Sequence, residues 1–365
     1  MLEPLAAVLA QTGLDALVLV PGANFRRVFG QDFHQMERPL AVIVPRSGEA
    51  VAVVPQLEMG SFSAIGFPGR VFSWRDETGY QSAFMDAGAA LPHLRAGARI
   101  GVEGQRMRVF DLFALQQALR GASFVDIHAA ISRIRLHKTP DEIERLRKAI
   151  RLSEAALEAT LAEVRVGMTE TEIEALLLRN LFAQGADGLS FAPIVAAGDN
   201  AAKPHAHARH DYRIKPGDAL LFDFGGTHQG FSADITRTVF VKQVSDYDRA
   251  FYEAVLGANE KGRAVSRPGI TASDVDDAVL NVLEHSQFAS FCRHKTGHGL
   301  GLDVHEAPQI MRGNAQILEP GMVFTIEPGL YREGEAGVRI EDNVVVTETG
   351  IECLTSFPRE LRLVG

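Results

Sequence analysis

Short runs of β-branched residues alternate with polar breaks over the first third of the chain. Leu17-Val18-Leu19-Val20, Ala41-Val42-Ile43-Val44 and Val51-Ala52-Val53-Val54 are bounded by Gly, Pro or Ser, which reads as three strands. Helix-like stretches near residues 2–12 and 109–120 separate some of these runs. The pattern predicts a small α/β domain over residues 1–130, and nothing in it has obvious chemical spacing. The character changes at Arg135-Leu136-His137-Lys138-Thr139-Pro140. Thr139 is a cap, Pro140 opens the first turn, and Glu142 stands three residues after the cap. Ile143, Leu146, Ile150 and Leu157 then recur near helical period. A domain boundary is expected around residues 128–140, with a second domain over 131–365.

That second domain repeats itself. Thr169 and Glu172 after Gly167, and Thr271 and Asp274 after Gly269, form the same helix-opening pattern 102 residues apart. Phe222-Asp223-Phe224-Gly225 and Ile326-Glu327-Pro328-Gly329 lie 104 apart, and Asp234 and Glu341 lie 107 apart. Each half therefore reads as helices followed by two acid-bearing strands. A pseudo-twofold arrangement with the acids meeting at the axis follows.

Composition narrows the classes. A chain of 365 residues is long for one core, and 46% hydrophobic with 23% charged residues is ordinary for a globular protein. A net charge of −9 does not suit a nucleic-acid backbone. The N-terminal segment carries Glu3, Gln11 and Asp15 and no basic region, and no stretch approaches a membrane span, so a cytoplasmic protein without a membrane partner is expected. Cys292 and Cys353 read as two buried thiols in a reducing compartment.

The acids carry the chemistry. Ala219–Asp223 is a strand expected to turn at Gly225-Gly226, and Phe231–Val241 is the next strand; a hairpin centred near residue 228 would set Asp223 opposite Asp234. Two carboxylates that close in an apolar sheet need a cation or a proton between them. Val323–Glu327 repeats the theme before Pro328-Gly329. Arg339 and Glu341, two apart on a strand over Gly337–Val346, should share a face. Three histidines, His294, His298 and His305, fall within twelve residues threaded by Gly297, Gly299 and Gly301, which allow close backbone approach. An earlier stretch holds His205, His207 and His210, the last expected to be solvated. Four carboxylates and one imidazole suit a pair of divalent ions, which can share a hydroxide and make water a nucleophile at neutral pH. No G-x-S-x-G, P-loop or complete dinucleotide fingerprint is present.

The motifs FDFGG…SADITRT, TGHGLGLDVHE, TIEPGLY and RIEDNVVVT stand in one order, and in that order the chain resembles the aminopeptidase P/prolidase branch of the pita-bread metallopeptidases. The resemblance implies an α+β protein, with a creatinase-type N-terminal domain before a pseudo-twofold catalytic domain. It implies two divalent metal ions per chain, Mn²⁺ foremost and Co²⁺ or Zn²⁺ as alternatives, held by Asp223, Asp234, His298, Glu327 and Glu341. Glu327 would also relay the proton of the attacking water. His305 would stabilise the tetrahedral intermediate, His294 would contact the proline side, and Arg339 would orient the acids. Tyr331 and either His205 or His207, with His205 favoured because it follows Pro204, would line the substrate site. The substrates implied are proline-containing peptides, and a homodimer is implied. Related prolidases place an Arg at the position of Gln309 to grip a dipeptide's carboxylate. With Gln309 there and Arg312 nearby, the sequence favours an aminopeptidase P acting on longer Xaa-Pro-Xaa peptides over an Xaa-Pro dipeptidase. A metal-free binding module on the same fold is the reading from a different class.

Overall fold

Every residue of the three N-terminal apolar runs is buried, which a sheet covered on one face alone cannot achieve. The computed structural model, which describes residues 1–94 and 97–365, shows why. The chain forms two units, Met1–Arg135 and Leu136–Gly365. The first holds helices α1 (Glu3–Thr12), α2 (Ala23–Phe29), α3 (Met59–Ser63), α4 (Gln81–Ala89), α5 (Val109–Ala118) and α6 (His128–Ser132). Its strands are β1 (Ala16–Leu19), β2 (Ala41–Pro45), β3 (Ala50–Pro55), β4 (Gly69–Trp74), β5 (Arg99–Val102) and β6 (Ser123–Asp126), in the order β4-β3-β2-β1-β5-β6. Alternate strand residues go to opposite faces. Val18, Ile43, Val53 and Ile100 meet Phe84 and Leu115 on one face, and Leu17, Leu19, Val42 and Val54 meet Leu5, Phe25 and Phe62 on the other.

The second unit opens with α7 (Pro140–Glu163) and α8 (Glu170–Ala183), and its second half with α9 (Asp246–Val265) and α10 (Ala272–Glu284). Thr139, Thr169 and Thr271 each close a reciprocal capping box with Glu142, Glu172 and Asp274. Each cap is worth about 1 kcal/mol. Leu157, Leu161, Ile173 and Leu177 of the first helix pair pack on Val195, Phe222, Phe224 and Val239. Phe251, Val255, Val275 and Val279 of the second pack on Phe324, Ile326 and Val344. The helix-on-sheet unit thus occurs twice.

The strands beneath are β7 (Gly188–Leu189), β8 (Ile194–Ala197), β9 (Ala219–Phe224), β10 (Gly226–His228), β11 (Phe231–Ser232) and β12 (Ile235–Val241). The second half adds β13 (Gly297–Gly299), β14 (Glu306–Ile310), β15 (Val323–Ile326), β16 (Gly329–Arg332), β17 (Ala336–Arg339), β18 (Asp342–Val346), β19 (Ile351–Cys353) and β20 (Leu363–Val364). The main sheets run β20-β12-β9-β8 and β14-β13-β15-β18-β19.

Three expectations from the sequence change here. Asp223 lies opposite Thr236, not Asp234. The turn is not at Gly225-Gly226 but at Gln229-Gly230, where both residues have positive φ, 47° and 77°, as a two-residue hairpin loop requires. Gly225 instead admits a close approach, since a Cβ there would sit 1.7 Å from the Ala233 carbonyl oxygen. Second, Gly337–Val346 is not one strand. It breaks at Ile340-Glu341, β17 pairing with β16 and β18 with β15. Third, Cys292 and Cys353 are free thiols but only half-buried.

Candidate metal centre

The broken strands deliver the acids to one place. Asp223 near the end of β9, Asp234 just before β12, Glu327 just after β15 and Glu341 just before β18 all line one cavity of about 550 Å³. His298, in the middle of β13, lines it too. Gly297 and Gly299 on either side allow the strand to press in, because a Cβ at either would lie 2.1 Å from a neighbouring carbonyl oxygen. Asp234, His298 and Glu341 each offer a ligand atom within 4.8 Å of the others.

The arrangement is electrostatically incomplete by itself. Asp223 Oδ1 and Glu341 Oε1 are buried without a hydrogen-bond partner, a costly state for a carboxylate. Burial, together with the neighbouring acids, pushes the Asp234 and Glu341 carboxyls well above the usual carboxylate range; Asp223 is raised as well, chiefly by burial. Glu327 goes the other way. Burial works against its charge, but the hydrogen bond and charge of His298, with His294 and Arg339, hold it down at about 2. His298 Nε2 stands 3.2 Å from Glu327 Oε1 and 3.6 Å from Asp234 Oδ2. Its Nδ1 is 3.1 Å from the Gly299 carbonyl, which can only accept, so Nδ1 carries a proton. Nε2 is therefore the ring atom presented to the carboxylates, and it is the atom that ligates metal in a histidine whose Nδ1 is held by a carbonyl. Cations between these groups would relieve the orphaned oxygens and the raised carboxyls together. The donor set fits divalent metal.

Around this centre the remaining groups sort themselves. Arg339 is the buried cation among the acids. It donates to Asp223, to Thr236 Oγ1 at 3.0 Å and to the Tyr331 hydroxyl at 2.7 Å. Thr236 in turn donates to Glu341 Oε2 at 2.7 Å, and Thr325 Oγ1 donates to Glu327 Oε1 at 3.1 Å. Sequence reasoning missed both threonines, although each lies two residues from a site acid on an extended segment and so shares its face. His294 lines the cavity, with Nε2 2.7 Å from the Tyr331 hydroxyl. Tyr331 itself is buried behind it and does not line the cavity. Burial lowers the pKa of His294, and burial with the charge of His298 takes His305 down to about 4, so both rings are neutral at pH 7. His305 and His205 line the cavity, whereas His207 does not; all three, like His210, are exposed. Phe191, Ile194 and Pro204 supply apolar wall, and Arg293 and Lys295, singled out by no motif, add two cations.

Residues 144–348 match metallopeptidase family M24. The chain belongs to that family. Residues 1–137 match the creatinase/prolidase N-terminal domain, so this M24 protein joins that domain to a catalytic domain of the pita-bread fold. It is similar to a recombinant prolidase from Thermococcus sibiricus at 32% identity and TM-score 0.92, over 98% of this chain and 97% of that one. Dipeptidase PepE from Mycobacterium ulcerans is 34% identical at TM-score 0.91, over 100% and 96%. An X-Pro aminopeptidase from Thermotoga maritima is 29% identical at TM-score 0.80, over 98% and 100%. This M24 chain is a metallopeptidase of the Xaa-Pro group. The sequence-based preference for aminopeptidase P is not carried by these likenesses, which lie nearer to prolidase and dipeptidase. Among the described residues no helix is long and apolar enough to cross a membrane.

Proposed function

We propose that the chain is an Xaa-Pro dipeptidase, releasing proline from the C-terminal side of a two-residue substrate. The observation that carries the hydrolytic part is the ring of buried carboxylates around His298, with two oxygens left without partners. Support for the dipeptide substrate comes from the higher structural similarity to prolidase and dipeptidase than to aminopeptidase. Asp223, Asp234, His298, Glu327 and Glu341 would hold two divalent ions, Mn²⁺ foremost with Co²⁺ or Zn²⁺ as alternatives. Such ions supply Lewis acidity and lower the pKa of water.

The chain's own residues do the rest. Glu327, ionised at neutral pH, accepts a proton from the attacking water and passes it to the leaving imide nitrogen of proline. His305, neutral and at the cavity wall, retains one N–H to donate to the oxygen that gains charge. His294, steadied by Tyr331, contacts the proline side, and His205 lines the same cavity toward the substrate. Arg339 keeps Asp223 in place directly and Glu341 through Thr236. Homodimer assembly, as the resemblance implies, belongs to the same proposal and is read by sedimentation velocity.

The test is turnover of Ala-Pro against Ala-Pro-Ala by chain loaded with each metal in turn. Faster cleavage of the dipeptide supports the reading. Cleavage of the tripeptide alone would make the chain an aminopeptidase P. Absence of metal uptake with no hydrolysis would favour the binding module.

A further inference from the structure

The cavity is not only acidic. Arg293 and Lys295 line it, and among the described residues neither forms an ion pair with a carboxylate. Arg312, three residues past Gln309, is committed elsewhere. It donates to Asp277 at 2.8 Å and to Glu284 at 3.2 Å on the surface.

Of Arg293 and Lys295, Lys295 has the better-built setting; Arg339, the third cation of the cavity, is already engaged by Asp223. The backbone on both sides of it is fixed. His294 Nδ1 lies 2.7 Å from the Lys295 carbonyl, and the Thr296 N–H donates to the buried Asp276 carboxylate at 2.7 Å. The ammonium of Lys295 donates to Gln309 Oε1. Gln309 is itself held, since its Nε2 donates to the Glu306 carbonyl at 2.7 Å and its own carbonyl accepts from Asn314 Nδ2 at 2.6 Å. The amide is thereby oriented with its oxygen toward the lysine. An ammonium has three donors, and Gln309 uses one. The side chain is half-buried, and burial lowers its pKa, so an incoming anion would relieve a desolvated cation. Arg293, two residues earlier, is exposed at the same wall and adds positive potential.

A dipeptide differs from a longer peptide or an amide by a carboxylate on its second residue. We propose that Lys295, seated on Gln309, binds that carboxylate and so makes the chain select Xaa-Pro over Xaa-Pro-Xaa. This rests on the dipeptidase reading above and names the group that enforces it. The contact is a charge-assisted hydrogen bond, whose loss changes an equilibrium roughly ten- to hundredfold.

The experiment compares wild type, Lys295→Met and Lys295→Arg on Ala-Pro and Ala-Pro-amide, using metal-loaded protein. In wild type kcat/KM favours the acid over the amide. In Lys295→Met that ratio falls at least about tenfold, chiefly through the KM of the acid. Lys295→Arg, which keeps the charge, retains most of it. A Lys295→Met variant with the wild-type ratio overturns the proposal, as does a wild type that prefers the amide; neither result touches the peptidase reading. If wild type cleaves neither substrate, the dipeptidase reading fails, and calorimetric binding of L-proline against prolinamide decides the carboxylate contact by itself. Loss of the proline preference in Lys295→Met upholds the contact, and an unchanged preference removes it.

Discussion

Glu170 is the first residue of α8 and has no exposed surface, yet it is not near the metal cavity in any motif. Its carboxylate accepts from the Ala197 N–H at 2.8 Å, Asn200 Nδ2 at 2.9 Å, the Arg209 N–H at 2.7 Å and the Arg209 guanidinium at 3.0 Å. All four donors belong to residues 197–209, the segment that brings Pro204 and His205 to the cavity. Asn200 passes the restraint on, donating also to the His207 carbonyl at 2.9 Å. Glu170→Ala would leave these donors facing a void. Arg209 is partly exposed and keeps Asp199 as a partner, so the loss falls on the Ala197 N–H, the Asn200 amide and the Arg209 N–H left without an acceptor, about 1–3 kcal/mol each and about 3–5 kcal/mol together after relaxation. At about 2–4 °C per kcal/mol for a domain of this size, the melting midpoint should drop by roughly 6–20 °C. Glu170→Gln keeps an acceptor oxygen without the charge, and its drop should be about half as large. Because the freed segment carries His205, KM for Ala-Pro should rise more than kcat falls in both variants, measured below their midpoints. Thermal denaturation followed by circular dichroism, with steady-state kinetics at a permissive temperature, reads both effects. A Glu170→Ala midpoint within about 2 °C of wild type would refute the energetic argument. A large drop with unchanged KM would confine Glu170 to stability.

Two further outcomes follow from the charges. Arg339→Met should destabilise metal-free protein by about 3–5 kcal/mol, since Asp223 loses its buried counter-ion, and metal should restore part of that loss; differential scanning calorimetry with and without chelator measures it. The metal-free chain should also melt lower as pH rises above about 4. Asp223, Asp234 and Glu341 have raised pKa values in the fold, so above the unfolded value of about 4 the native state holds more protons and loses stability as they leave. Glu327, depressed to about 2, acts with the opposite sign and only below that window. Scanning fluorimetry across pH should show the slope with chelator and a flatter curve with Mn²⁺; parallel curves would count against metal at these acids.

Much of this was legible in the sequence because the acids recur. Asp223 and Glu327, and Asp234 and Glu341, stand at matching stages of two copies, and capped helices at Thr169 and Thr271 mark where each copy begins. The hairpin register was not legible. Gly225-Gly226 has the composition of a turn, but Gly225 serves a close backbone approach, while Gln229 takes a positive φ that its residue type does not advertise. Thr236, Thr325 and Lys295 look ordinary on extended segments, and only tertiary neighbours give them meaning. The choice between His205 and His207 turned on a loop path that spacing from Asp223 does not encode; the cavity takes in His205 and leaves His207 outside. The dipeptidase reading met the same difficulty. By sequence a cation for a substrate carboxylate is expected near Gln309 and Arg312, whereas the structure holds Lys295, two residues before β13, against Gln309 of β14.

The most direct test of the metal-centre assignment is calorimetric titration of Mn²⁺ into metal-stripped protein, alongside the Asp234→Asn variant. Two ions should bind per wild-type chain, with protons released as the raised carboxyls ionise, and the variant, its fold intact, should lose at least one ion together with hydrolysis. Wild-type chain that takes up no metal, or Asp234→Asn that binds two ions and cleaves Ala-Pro at the wild-type rate, would contradict that assignment.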